Sequence, residues 1–422
     1  MTRHFRIKTL GCKVNQYESQ ALRERLLAAG WEESVTSPDL VILNTCAVTA
    51  RAEAKCRKLL RRFLSDFPRS RVYLTGCGIS PASPGASRLR ELVPPLRRVQ
   101  RLPGSERGIS WFRGHHRAFL KVQDGCDSFC SYCLIPYLRG APRSRPPVEI
   151  LAEAARLDRT GYREVVLTGI HLGRYEASPG YGLVELIEDL LGAGGKYRLR
   201  LSSLEPREVT PRLLALFRKA PRLCPHLHIP LQSGSDRILR AMNRGYTGRE
   251  YLSVLAAIRG EVPGIALGTD IISGFPGEEQ ADAARTLEVV GRSAFSRAHV
   301  FPYSPRRGTR AAAWPRPPAA VATARARELE EVVAASSREF RRSRVGKTAH
   351  PLWETRGEDG FWRGTDERYL RIILKKGAAR PGGVDPVRIT GFRGDCCWGE
   401  PLAAGFSDKN EKKDEYVPRD QL

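Results

Sequence analysis

Residues 125–133 read GCDSFCSYC, which sets Cys126, Cys130 and Cys133 at C-x3-C-x2-C spacing. Closed structural metal sites and fully ligated four-iron clusters take four protein ligands. This stretch supplies three, and an open coordination position is ordinarily kept for a substrate or cofactor. Thiolates select zinc or iron–sulfur clusters. Zinc would need a fourth ligand; His171 and His228 are the nearest candidates, and neither has zinc-finger spacing. A four-iron cluster on three cysteines leaves one iron able to chelate the amino and carboxylate groups of a small molecule.

The motif directly follows a short apolar run, FLKVQ (119–123). Further runs are EVVLTGI (164–170), RLRLSSL (198–204), HLHIPLQ (226–232), IALGTDII (265–272) and RAHVFPY (297–303). Helical patterns lie between them at 147–158, 184–191, 211–219, 248–259 and 279–293. A spacing of roughly 30–40 residues is that of βα units. The expectation is an α/β core over 112–342, an open or partial (β/α) barrel with the cysteine loop at its mouth.

Upstream, residues 1–110 show a shorter repeat. HFRIKTL (4–10), LVILNT (40–45) and RVYLTG (71–76) lead to Cys12, Cys46 and Cys77, with helical stretches after the first two. Strand–helix alternation argues for a parallel, Rossmann-like sheet, and such sheets bind ligands at the carboxyl ends of their strands. If the strands are neighbours, the three thiols converge on one edge. Each alone could be a buried small hydrophobe. Residues 78–115, rich in Pro, Gly, Ser and Arg, read as an irregular connection.

Downstream, 323–345 reads as a basic helix. Residues 343–406 change to short strands and Gly-rich turns, which suggests a small antiparallel β-barrel, OB-like in topology. There Arg356, Arg363, Arg368, Arg371, Lys375, Lys376 and Arg388 interleave with Trp353, Phe361, Trp362 and Tyr369. That pattern suits single-stranded or loop RNA, or else a solvated surface over an aromatic core. The tail, 407–422, is highly charged and expected to be disordered.

A net charge of +24 argues for a polyanionic partner, most simply nucleic acid. No run of about 18 apolar residues exists, so no membrane span is expected. The first residues lack the apolar core of a signal peptide, so a cytoplasmic location is expected, where the ten cysteines stay reduced.

The cysteine loop resembles that of the radical S-adenosylmethionine enzymes. CSYCLIPYLRGAPRSRP, LTGIHLG, LSSLEP, HIPLQSGSDRILRAMNR, TDIISGFPGE and FPYSPRRGTRA narrow the resemblance to methylthiotransferases, as do TLGCKVNQYES, NTCAVT and TGC near the start. The resemblance covers nearly the whole chain, including a final RNA-binding barrel of the TRAM type. KTLGCKVNQYES and LTGIHLG look most like the branch that modifies N6-threonylcarbamoyladenosine beside the anticodon of tRNA. Other branches act on isopentenyladenosine or on a ribosomal protein. The text after Cys77, GISPAS, departs from the family pattern.

The resemblance implies two [4Fe-4S] clusters. Cys126, Cys130 and Cys133 would hold one, which binds and cleaves S-adenosylmethionine to start radical abstraction of hydrogen from C2 of the base. Cys12, Cys46 and Cys77 would hold the other, which carries the sulfur. An electron donor and a sulfur source are also required, and the sequence identifies neither. By their place at strand ends, Thr168, Gly169, Ser203, Glu205, Gln232 and Asp270 are the candidates for S-adenosylmethionine; Glu205 and Asp270 could equally be partners of nearby arginines. His171 and His228 read more readily as structural than catalytic. Arg139, Arg143 and Arg145 suit RNA phosphates or a solvated charge run. Packing is the reading for Cys56 and Cys224, and Cys396–Cys397 has no assigned role. The rival class is a non-catalytic RNA-binding protein with structural zinc.

Overall fold

LVILNT is buried at all six positions. Only a strand covered on both faces, as in a parallel sheet between helices, accommodates such a run. The computed structural model, which describes residues 2–80, 83, 85–92, 108–374, 377 and 379–402, places it accordingly. Strands β1 (Arg3–Thr9), β2 (Trp31–Glu33), β3 (Leu40–Thr45) and β4 (Arg71–Gly76) form one sheet in the order β2-β1-β3-β4, and all its pairings are parallel. Helix α1 (Lys13–Ala28) follows β1, and α2 (Ala50–Asp66) follows β3. Thr49 caps α2 by accepting a hydrogen bond from the Ala52 amide at 3.1 Å. Cys56, Leu60 and Phe63 of α2 pack on Val41, Leu43 and Val72. Part of the expected connection, residues 86–91, is a short helix, α3 (Ala86–Glu91). Residues 93–107 lie outside the described residues, as do Lys375, Lys376 and the charged tail.

The core is two three-stranded parallel sheets. Strands β5 (Ala118–Lys121), β6 (Glu164–Thr168) and β7 (Arg198–Leu201) form one; β8 (His226–His228), β9 (Ala266–Ser273) and β10 (Arg297–Pro302) form the other. Backbone bonds join them where the Leu199 amide donates to Arg222 O (2.7 Å) and the Cys224 amide to Leu199 O (2.8 Å). The result is the expected partial barrel. Helices α4 (Ile135–Arg139), α5 (Pro147–Arg159), α6 (Leu183–Gly192), α7 (Pro211–Lys219), α8 (Asp236–Ala241), α9 (Gly248–Glu261), α10 (Gln280–Ser293) and α11 (Ala319–Arg344) complete this region. Pro211 opens α7 behind a Thr210 cap, and Thr247 with Glu250 forms a capping box on α9. One large apolar core unites both sheets and takes in Tyr17 and Ala21 of α1, so the N-terminal domain is packed onto the barrel.

Beyond α11 a six-stranded curled sheet runs from Thr348 to Pro401. Its pairings are antiparallel except Arg371–Leu374 with Cys396–Pro401, which run parallel. This domain caps the amino-terminal ends of the barrel strands. Arg200 donates to Asp366 O (2.9 Å) and Glu367 O (3.0 Å), and Arg198 to Thr365 O (3.0 Å). The opposite, carboxyl end of the barrel is left to the cysteine loop and the N-terminal sheet.

Candidate active site

The loop after β5 is fixed from several sides. Gly125 has φ +77°, and a Cβ there would stand 2.0 Å from Ala141 O, so only glycine passes. Gln123, buried, donates from Nε2 to Gly125 O (2.8 Å) and accepts at Oε1 from the His171 amide (2.8 Å). The Ser131 amide donates to Met242 O (3.0 Å), and Asn243 Nδ2 donates to Ser128 O (3.0 Å). The Cys126, Cys130 and Cys133 thiols all accept or approach donors: the Ser128 amide at 3.5 Å, Arg244 Nη1 at 3.5 Å and the Ile135 amide at 3.4 Å. Donors aimed at sulfur suit thiolate ligands. Burial opposes ionisation of Cys126, but hydrogen bonds from His171 and Ser128 outweigh it and lower its pKa. Burial drives the Cys133 thiol up to about 12. A bound metal or cluster would offset the burial that keeps Cys133 protonated.

His171 lies beside this loop. Its Nδ1 is 3.4 Å from Cys126 Sγ, and its Nε2 is 2.6 Å from Glu208 Oε1. Burial opposes protonation, yet these partners raise the imidazole pKa to about 10. Of the two histidines weighed as a fourth ligand, His171 is thus at the site. His228 is elsewhere, paired with Asp270 at 3.2 Å.

Cys12, Cys46 and Cys77 follow β1, β3 and β4, three adjacent strands, so their loops share one sheet edge. A Cβ built on Gly11 would lie 3.2 Å from Cys46 Cβ. Cys46 and Cys77 are buried, while Cys12 is exposed. Asn15 holds the edge by donating to Leu10 O and Thr45 O, both at 2.9 Å. Burial raises the Cys77 thiol to about 11.

Arg139 joins the two cysteine sets. It ends the helix that follows Cys133, yet its Nε donates to Cys77 Sγ at 3.1 Å and its Nη2 to Asn15 Oδ1 at 2.8 Å. Its Nη1 meets Glu18 (2.8 Å) and Asp124 (3.0 Å). With only 8% of its side chain exposed, Arg139 is not an RNA-phosphate contact. Arg145 is also turned inward, to Glu153 Oε2 at 2.8 Å and Lys121 O at 2.7 Å. Arg143 alone of the three is exposed. The charges on Arg139 and Arg145 are readable in the sequence; that Glu18, Asp124 and Glu153 claim them is not.

The strand-end candidates separate into groups. Thr168 is buried and donates its hydroxyl to Val166 O (3.2 Å), and Gly169 packs against Gln123. Ser203 is exposed. Glu205 pairs with Arg244, which also reaches Cys130; burial keeps the Glu205 carboxyl above its usual range despite that arginine. Gln232 adopts φ +64°, and its buried Oε1 has no partner among the described residues. Nor has the buried Ser202 Oγ. Two orphaned buried polar atoms just past the ends of barrel strands fit a small polar cofactor bound there. Asp270 belongs instead to the inner wall, with His228. Asn15 lies within TLGCKVNQYES, Arg244 closes HIPLQSGSDRILRAMNR and Gln123 precedes the cysteine loop, but the sequence assigns none of them a role.

A partial barrel whose three-cysteine loop sits at the carboxyl ends of its strands defines a class, and residues 120–290 match the Radical SAM superfamily. Residues 4–91 match the family described as Uncharacterized protein family UPF0004. The fold is similar to the radical S-adenosylmethionine methyltransferase TsrM from Kitasatospora setae, with TM-score 0.51 and 14% identity over 74% of this chain and 77% of that one. Curated relatives are nearer. A threonylcarbamoyladenosine tRNA methylthiotransferase MtaB of Thermotoga maritima is 36% identical, covering 87% of this chain and 90% of its own. Its counterpart in Chlamydia pneumoniae is 40% identical over 83% and 86%. A tRNA-2-methylthio-N(6)-dimethylallyladenosine synthase of Cereibacter sphaeroides is 35% identical over 94% and 98%. The chain belongs to the tRNA methylthiotransferase family of radical S-adenosylmethionine enzymes.

Proposed function

We propose that the protein inserts a methylthio group at C2 of N6-threonylcarbamoyladenosine at position 37 of tRNA. The observation that carries this reading is the pairing of two incomplete, three-thiol sites around one arginine, in a chain whose MtaB relatives match it over most of its length. A single site would suit cleavage of S-adenosylmethionine; insertion of sulfur calls for a second place to hold it.

Cys126, Cys130 and Cys133 would hold one [4Fe-4S] cluster, and Cys12, Cys46 and Cys77 a second. Bound there, these groups and S-adenosylmethionine supply reductive radical generation on one side and the sulfur on the other. The chain's own residues do the rest. Gln123, Asn243 and Arg244 fix the first loop; Asn15 and Arg139 fix the second and hold it against the first. Gln232 and Ser202 offer acceptors to S-adenosylmethionine. Glu205 is held by Arg244, so its part is to position that arginine. The N-terminal domain roofs the barrel mouth and excludes water, anchored by Arg306 to Glu53 at 2.7 Å. tRNA is the macromolecular partner in this reading, which sets the reaction in the cytoplasm, and no helix among the described residues is long and apolar enough to cross a membrane.

Nucleoside mass spectrometry of tRNA from a deletion strain tests the proposal. The 2-methylthio-N6-threonylcarbamoyl nucleoside should vanish and return with the gene. Its persistence, in a strain with no second such enzyme, would overturn the substrate assignment.

A further inference from the structure

Two large aromatic side chains at the cysteine-bearing mouth of the barrel stand out in solvent. Phe129, in the cysteine loop, is 48% exposed, and Tyr137, in α4, is 46% exposed. They meet each other, with ring centroids 5.6 Å apart and planes at 73°. In such an edge-to-face pair one ring keeps both faces free of its partner. The pair is also held in place. Phe129 has φ +44°, in the left-handed region that non-glycine residues avoid. Asn243 fixes it there, its Nδ2 donating to Ser128 O at 3.0 Å and Phe129 O at 3.2 Å. The Tyr137 amide donates to Leu134 O at 3.0 Å in the first turn of α4. A strained backbone that exposes an apolar ring adds nothing to the core, and such strain collects at binding sites.

Exposed arginines border the pair on three sides. Arg174 pairs with Asp127 at 3.2 Å, two residues before Phe129. Arg143 donates to Arg139 O at 3.4 Å, at the end of the helix that carries Tyr137. The segment with Arg307 and Arg310 closes on the cysteine loop, where the Ala311 amide donates to Ser131 O at 2.8 Å and a Cβ on Gly308 would lie 3.5 Å from Leu134 Cδ2. Neither Arg307 nor Arg310 has a hydrogen-bond or ion-pair partner among the described residues. Exposed rings among unpaired cations are the make-up of a surface for single-stranded or loop RNA. A protein-docking patch is instead depleted of charge at its centre.

We infer that Phe129 and Tyr137 form a stacking platform for an unpaired anticodon-loop base next to the target adenosine, with the bordering arginines on the phosphates. This rests on the functional reading above, which brings that loop to this mouth. The reacting C2 belongs to a base that would otherwise lie stacked between its neighbours. To reach the cysteine-bearing site it has to leave the stack, and a neighbour then loses a stacking face. Rings fixed beside the cysteine loop supply a replacement face where the target base departs. Stacking is tolerant of base identity, so the platform serves tRNAs that differ in sequence around the target.

The test uses reconstituted holoenzyme and three anticodon stem-loop RNAs bearing N6-threonylcarbamoyladenosine: one intact, and one abasic at each neighbour of the target. Affinity and methylthiolation are both read. Phe129→Leu and Tyr137→Leu should each weaken binding of the intact loop about tenfold, the scale of one base–aromatic stack. Phe129→Tyr should restore it. For one of the two abasic loops the leucine variants should bind as wild type does, because the stacked base is already missing. Iron content is measured for each variant because Phe129 adjoins Cys130; Tyr137 lies outside the cysteine loop and keeps the test independent of cluster loss. An equal loss of affinity for all three RNAs in both leucine variants would overturn the inference. So would unchanged RNA affinity with cleavage of S-adenosylmethionine slowed under flavodoxin but not under dithionite, which would make the pair a docking patch for a protein reductant. In either case conversion of the intact loop by wild type would leave the function standing. Failure of wild type to convert it would remove the functional reading, and the inference with it.

Discussion

Arg139 shows how much one residue can carry. It has three partners in the N-terminal domain, Cys77, Asn15 and Glu18, and a fourth, Asp124, in the barrel. Burial pushes the Glu18 and Asp124 carboxyls up, but Arg139 and Lys121 outweigh it and hold both below their usual range. A depressed carboxylate contributes stability that is present above its unfolded pKa, about 4, and is lost as the pH falls through the folded value. Arg139→Met should therefore cost about 3 kcal/mol near pH 7 in urea denaturation. The gap to wild type should narrow below pH 4, where wild type loses the same contribution; a constant gap would show that the lost packing, not the charge, is responsible. In the proposed function the two cysteine sets divide by role. Cys130→Ala should abolish reductive cleavage of S-adenosylmethionine, whereas Cys46→Ala should spare cleavage and stop sulfur insertion. Equal loss of cleavage in both would contradict two separate sites. Spacing marks Cys126, Cys130 and Cys133 in the sequence, and place at strand ends marks Cys12, Cys46 and Cys77. Arg139, Arg244 and Gln123 were not, because their roles exist only after segments far apart in the chain have met.

At the scale of elements, the strongest signals were the apolar strand runs and the capped helices. β3, β4 and α7 fall where LVILNT, RVYLTG and 211–219 were read. The barrel strands end early. EVVLTGI stops at Thr168, RLRLSSL at Leu201 and HLHIPLQ at His228. In each case the apolar text continues, but the backbone leaves the ladder to line the mouth; at Gln232 it does so with a positive φ. Such departures are a feature of ligand-bearing strand ends, and propensity does not encode them. β2 was missed because WEE carries no strand pattern and is ordered only by pairing with β1. The cysteine loop is itself an element under constraint. Gly125→Ala would force both the positive φ and a clash with Ala141 O, and should lower iron content severalfold at a cost of about 1–3 kcal/mol. Gly114 also has positive φ (+67°) but open space around it. Gly114→Ala should show the strain alone, with full iron content; matching losses in both variants would refute a specific role for the loop contact.

Across the whole molecule, the two ends of the barrel have different tasks. The carboxyl end meets the N-terminal domain and gathers the chemistry. The amino end is sealed by the C-terminal sheet through one buried carboxylate, Glu164, set among Arg117, Arg198 and Arg200. Tyr369 lies under Arg200 at 4.4 Å and Arg117 at 5.4 Å. The pattern of basic and aromatic residues there was legible, but its direction was not. Trp353 is core, Tyr369 and Arg368 face the barrel, and Arg356, Arg371 and Arg388 are exposed. Glu164→Gln would leave three arginines crowded without their carboxylate, and should destabilise the protein by about 3–5 kcal/mol in denaturant unfolding. A change under about 1 kcal/mol would mean that the seam is held by backbone contacts instead.

In the proposed function, two incomplete thiol sites, rather than one or none, distinguish a sulfur-inserting enzyme from a zinc-bearing RNA binder. Anaerobic purification followed by metal and sulfide analysis tests this most directly. Wild type should carry about eight iron and eight sulfide per chain, four for each cluster, and the Cys12/Cys46/Cys77 triple alanine variant about four. Colourless protein holding stoichiometric zinc would contradict it.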